Sequence, residues 1–208
     1  MHFHMPKPLH RWRDFLNEVG IIVLGVTIAL GAEALIEHRR IADAVQFSRD
    51  DFISELDRNR ADVVGNLAET KALNGEVAAV IKEGAAFVQG KSATLQGHKM
   101  ARSFVSLRSA AWSSALSTQV MEHFPHNEGR IVAQAYTEQQ EFSDLQHAEQ
   151  AVWFSLADQS FIGAPTKQEV ATALKHLVVA TAYLGAHKES EESLVKTYDL
   201  ALARLRKD

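Results

Sequence analysis

Residues 19–36 read VGIIVLGVTIALGAEALI, eighteen positions with a single charge, Glu33, and no other stretch of the 208-residue chain is as apolar. Taken back to Phe15 the run lengthens to residues 15–36, roughly 33 Å of helix at about 1.5 Å per residue, enough to cross a hydrocarbon core of about 30 Å. The sequence therefore reads as a basic N-terminal tail (1–14), a transmembrane helix (15–36) and an extramembrane domain (37–208) that is polar and helical in pattern.

A cleaved signal peptide would use Arg11 and Arg13 as its basic part, Ile21 to Leu30 as its apolar part and Ala32-Glu33-Ala34 as the cleavage site. Its basic part would be long and would carry Asp14 and Glu18, so a retained span is favoured over a cleaved leader and over a soluble core helix. Lys7, Arg11 and Arg13 before the run are balanced by Arg39, Arg40 and Arg49 after it, and the charge rule for orientation ties. A short basic tail followed by an apolar run favours a cytoplasmic N-terminus and an exported body.

On a helix, Glu18, Gly25, Ala29, Ala32 and Glu33 fall within about 100° of one another. Gly25 and Ala29 form a small-x-x-x-small pair that lets two backbones approach, whereas Val23, Val26 and Leu30 lie to one side and suit lipid. Glu33 facing acyl chains would cost about 2.5 to 3.5 kcal/mol at mid-bilayer, which implies a partner. The alternative is that Glu18 and Glu33 mark the two membrane interfaces. The stripe is the candidate interaction site, for a second copy of the chain or for other membrane subunits.

The basic and acidic residues of the first 36 positions cancel, so the net charge of −4 belongs to the body. With no clustered basic face, nucleic acid is not an expected partner. The chain has no Cys, which excludes disulfides, thiol nucleophiles and Cys-ligated zinc.

Past the span, Ile41, Val45, Phe52, Leu56, Val63 and Leu67 follow an eleven-residue repeat, predicting a nearly straight helix that continues the span to about residue 73 and continues or restarts to about 88. Asn74-Gly75, Gly84 and the polar stretch 89–97 are the first punctuation. A second helix is expected over 99–124, facing inward with Phe104, Leu107, Trp112, Leu116, Val120 and Phe124 and ended by Pro125. Asn127 caps a third, with Ile131, Ala135, Phe142, Leu145, Val152 and Leu156 inward, ending near Phe161 to Pro165. Thr166 and Glu169 form a capping box for the last helix, whose heptad seam (Val170, Leu174, Leu177, Thr181, Leu184, Val195, Tyr198, Leu202, Leu205) is interrupted at Lys188 and Glu191. The fold class is thus all-α, a transmembrane helix continuing into an antiparallel bundle of about four long helices.

Ten histidines invite a metal reading. His123 and His126 flank Pro125 and share no helix face, Glu-x-x-His is absent, and His2 and His4 lie in a terminal tail, so no metal site is expected. Ser106, Ser109, Ser113, Ser114 and Ser117 form no nucleophile motif, and no glycine-rich phosphate loop occurs. No catalytic residue and no cofactor is expected, and the chain reads as non-enzymatic. Trp112, Tyr136, Phe142, Trp153 and Phe154 are placed in the core rather than around a ligand.

Glu18 opening the span, the stretch from Gly25 to Leu30 within it, Arg39-Arg40, and Glu55, Leu56 and Asn59 beyond it resemble an uncharacterised family of small bacterial single-pass inner-membrane proteins. Ala110-Ala111-Trp112, His123-Phe124-Pro125 and Tyr136 extend the likeness over most of the chain. The resemblance implies an inner-membrane protein with a helical extramembrane domain and no assigned function. Two function classes follow. The first is a structural or accessory subunit, homo-oligomeric or part of a larger complex; the second, less favoured, is a sensor-like bundle that binds a small molecule and acts through a membrane partner.

Overall fold

A computed structural model describes residues 12–95, 100–157 and 164–207. The described residues contain no strand; they form helices α1 (Trp12–Val88), α2 (Ala110–Ser117), α3 (His126–Ala157) and α4 (Lys167–Leu205), with a 3-10 turn at Val120–His123. The tail as far as Arg11, with His2, His4 and Lys7, the expected helix start at Lys99 and the expected helix end from Phe161 to Gly163 lie outside the described residues. The chain divides into two compact units, Met1–Phe47 and Ser48–Asp208, so the boundary falls beyond Ile36, where the apolar run stops.

In the first unit α1 carries the apolar run with none of it buried, and by length and composition this helix could cross a membrane. Ile21, Ile22, Leu24, Ile28 and Leu30 are about 60% or more exposed. The one hydroxyl of the run, on Thr27, donates to the Val23 carbonyl at 2.8 Å, so it needs no polar neighbour.

In the second unit α1 buries Phe52, Leu56, Asn59, Val63, Asn66, Thr70, Leu73 and Val77. The steps alternate four and three, a heptad seam rather than the expected eleven-residue repeat. The apolar residues alone had suggested the longer period because Asn59, Asn66 and Thr70 occupy three seam positions. The helix passes Asn74-Gly75 unbroken. Burial of Leu73 and Val77 on either side, worth about 1.5 to 3 kcal/mol each, outweighs the roughly 1 kcal/mol that Gly costs a helix interior. Gly84 is a close approach rather than a stop, since a Cβ there would meet Leu174 Cδ2 at 2.8 Å. The helix ends at Gly90, with φ of 74°: its N–H donates to the Phe87 carbonyl at 2.9 Å and that of Lys91 to the Ala86 carbonyl at 2.9 Å, a Schellman closure.

The expected helix over 99–124 is mostly absent. Residues 100–109 are non-helical and form a strap that leads into the short α2 and the 3-10 turn, and Leu116 faces solvent at 52% exposure. Helix α3 begins at His126, so Asn127 lies inside its first turn; the Pro125 carbonyl accepts from Glu128 and Gly129. Its buried side is Val132, Ala135, Tyr136, Gln139, Phe142, Gln146 and Glu149, while Ile131, Leu145, Val152 and Leu156 are half-buried. At α4 the capping box is present as read: Glu169 N–H donates to Thr166 Oγ1 at 3.2 Å, and the Thr166 N–H and hydroxyl donate to Glu169 Oε2 at 2.7 and 2.8 Å, which holds the Glu169 carboxyl below its usual range. The α4 seam is not interrupted at Glu191, which is fully buried; Lys188 is exposed and His187 is buried instead.

Two apolar clusters flank the polar middle of this unit. One packs Leu73, Val77, Leu177 and Leu184 with Val80, Met100, Trp153 and Leu174 around them. In the other, Phe52 meets Trp112, Phe124 and Tyr136, with the Trp112 and Tyr136 rings stacked at 5.3 Å. Of the five aromatics assigned to the core, Phe142 is fully buried and Tyr136 nearly so, Trp112 and Trp153 are half-buried, and Phe154 is exposed.

Candidate functional site

The stripe expected from the sequence lies on α1 in the first unit. Glu18, Gly25, Ala29, Ala32 and Glu33 are all exposed, and a Cβ built on Gly25 would have nothing within 4 Å. Gly20 and Gly31 of the same run are equally open. Trp12 and Phe15 stack at 5.4 Å where the apolar run begins, an aromatic pair suited to an interface and not singled out from the sequence.

The second unit holds a constellation that the sequence did not reveal. Arg102, on the strap, has a side chain only 2% exposed; its Nε donates to Glu149 Oε1 at 3.2 Å, its Nη2 to Glu149 Oε2 at 3.2 Å and its Nη1 to Thr70 Oγ1 at 3.1 Å. Trp153 Nε1 donates to Glu149 Oε1 at 2.7 Å. His187 Nε2 lies 2.8 Å from Glu149 Oε2 but off the line of an N–H bond, a close contact rather than an aligned hydrogen bond, and its ring meets Phe142 edge-on at 5.4 Å. Burial pushes the Glu149 carboxyl up, but His187, Trp153 and Arg102 together hold it below its usual range.

One turn past His187, Glu191 is also fully buried. Its Oε1 accepts from Asn66 Nδ2 and, at 3.1 Å, from Thr70 Oγ1, while no donor among the described residues reaches Oε2. Burial raises this carboxyl, and the bonds from Asn66 and Thr70 with the nearby Arg102 and His187 offset only part of the rise. The cluster thus joins α1, the strap, α3 and α4.

Side-chain amides continue the same seam along the strap. Gln146 Oε1 accepts from the Val105 N–H and its Nε2 donates to the Val105 carbonyl, both at 2.9 Å. Three residues on, Asn59 Oδ1 accepts from the Arg108 N–H at 2.9 Å, and Asn59 Nδ2 and Gln139 Nε2 both donate to the Arg108 carbonyl. Glu55 then accepts from the Ala111 N–H at 3.1 Å and from Tyr136 Oη at 2.7 Å. These amides pair with Val105 and Arg108 as a neighbouring β-strand would, satisfying both backbone groups of those two residues without a helix. Tyr198 Oη donates to Gln139 Oε1 at 2.6 Å; burial raises both the Tyr136 and the Tyr198 hydroxyls well above their ordinary value, and Glu55 adds to each.

Among the described residues no three or more His, Asp or Glu gather to hold a metal ion. A surface depression of about 340 Å³ beside α2 is lined by Asp51, Glu55, Arg58 and Arg108 among others, charges of both signs. Arg102, Glu149, His187 and Glu191 are, by contrast, almost wholly buried. The cluster's one sequence signal is the recurrence of Asn, Gln, Thr and Glu at heptad positions between buried apolar residues. Comparison of the chain with family models, with characterised proteins and with solved structures finds no match.

Proposed function

We propose that this chain is a non-enzymatic single-pass membrane protein acting as a structural or accessory subunit, as a homo-oligomer or within a larger membrane complex. The observation that carries the reading is α1, one uninterrupted helix in which an unburied apolar run is continuous with a seam packed into the helical body. Lipid and the open Gly25 and Ala29 surface account for the unburied part. The body reads as an antiparallel bundle. Supporting pairs are Arg60 with Asp199 and Lys71 with Glu192 between α1 and α4, and Thr197 with Glu138 and His176 with Ser155 between α3 and α4; in each set one number falls as the other rises. The strap and α2 stand where a second long helix was expected. The proposed location is the bacterial inner membrane, with the basic tail in the cytoplasm and the body exported.

Alkaline carbonate extraction of membranes, followed by intact mass in mild detergent, tests this. The chain should stay with the membrane at its full mass and run as an assembly with copies of itself or other subunits. A carbonate-soluble product, or a single chain in detergent free of other proteins, would overturn the reading.

A further inference from the structure

We propose that Glu191 is a proton-binding site that keeps its carboxyl neutral at physiological pH, and that this stored proton locks the strap onto the helical body.

The bonding around Glu191 is one-sided. Oε1 accepts two hydrogen bonds, from Asn66 and Thr70, and Oε2 receives none, although both oxygens are sealed from solvent. An ionised carboxylate sealed from water with one oxygen unmet costs far more than a neutral acid whose hydroxyl is unmet. Full burial with only two neutral donors, both on one oxygen, favours the acid form. The charges facing Glu191 agree. From α1 come the neutral Asn66 and Thr70, from the strap Arg102 and from α4 itself His187, while Glu149 of α3 meets Arg102 and His187. Arg102 is already matched by Glu149 through both guanidinium edges. A second buried carboxylate would have no cation left to meet except a protonated His187 ring, whose Nδ1 has no acceptor among the described residues.

The connection to the strap is a single hydroxyl. Thr70 Oγ1 donates to Glu191 Oε1 and accepts from Arg102 Nη1, so the orientation that serves Glu191 also holds Arg102. Removing the proton places an uncompensated negative charge beside this relay. It draws Arg102 away from Glu149 and loosens the segment that Arg102 secures.

Infrared spectra of the full-length wild-type protein at neutral pH should show the carbonyl stretch of a protonated, slowly exchanging carboxyl, and Glu191→Gln should remove it. The same variant, matched in shape to the acid form, should fold and should change the pH profile. Below about pH 4.5 it and wild type should be equally stable. Above that, the unfolding constant of wild type should rise about tenfold per pH unit relative to the variant until Glu191 ionises in the folded state, because unfolding then releases one proton. Amide exchange across residues 100–109 should accelerate with pH more in wild type than in Glu191→Gln. Absence of the carboxyl band in wild type, or a Glu191→Gln variant equally destabilised at every pH, would overturn the proposal.

Discussion

Arg102 and Glu149 form an ion pair almost wholly withdrawn from water, and the consequence is asymmetric. Removing one partner strands the other, whereas removing both charges strands nothing. Arg102→Met alone should lower stability by about 3 to 5 kcal/mol in urea unfolding, and considerably less when introduced into Glu149→Gln, a coupling read directly by the double-mutant cycle. Additive losses would contradict the pairing. The two buried carboxylates should also respond to pH in opposite senses. Glu149, lowered on folding, contributes stability that is present above the ordinary glutamate range and lost as pH falls through its folded value. Glu191, raised on folding, contributes stability that is lost as pH rises. In Glu149→Gln the acid-side loss should diminish while the alkaline-side loss persists, a contrast that thermal melts across pH would report. None of this was legible from residue type. Glu191 read as a break in the α4 seam because hydrophobic patterning treats every charge as solvent-facing, and only a partner distant in sequence, such as Asn66 or Thr70, tells a buried carboxyl from an exposed one.

At the level of elements, helices were read well where local signals decide them and poorly where distant side chains do. The α4 start at Thr166 is a local matter of two residues, and its capping box was readable outright. The strap depends on Asn59, Gln139 and Gln146, residues far away in the chain, and its Phe104 and Leu107 carry a spacing that is equally compatible with a helix. The seam of α1 was misread for a related reason, since the polar residues that hold the strap are the ones that complete its heptad. Asn59 and Gln146 therefore serve twice, as seam residues and as backbone partners. Gln146→Ala should leave the Val105 N–H and carbonyl without their partners and cost about 1 to 3 kcal/mol, with faster amide exchange confined to the strap. Gln140→Ala, on the exposed side of α3, should do little. Equal effects from the two substitutions would mean that the strap is held by its apolar contacts instead.

For the whole molecule, the sequence stated the plan most clearly in the apolar run of α1, because a helix that is apolar and unburied all round is a matter of composition within one helix and needs no tertiary partner. Whether the apolar run also binds another helix is tested at Gly25, Ala29 and Glu33, all exposed on α1. If this face receives another helix, Gly25→Leu and Ala29→Leu should each weaken assembly, because a side chain then fills the space the neighbour occupies, whereas Val26→Leu to one side should not. Glu33 separates charge from hydrogen bonding. A partner group that bonds it should tolerate Glu33→Gln and be disturbed by Glu33→Leu, by about 1 to 2 kcal/mol. Crosslinking in intact membranes reads all five variants as the yield of the linked species. Unchanged yield in Gly25→Leu, Ala29→Leu and Glu33→Leu would make Glu33 an interfacial residue and the span an anchor alone, and the assembly surface would then have to be sought on the helical body.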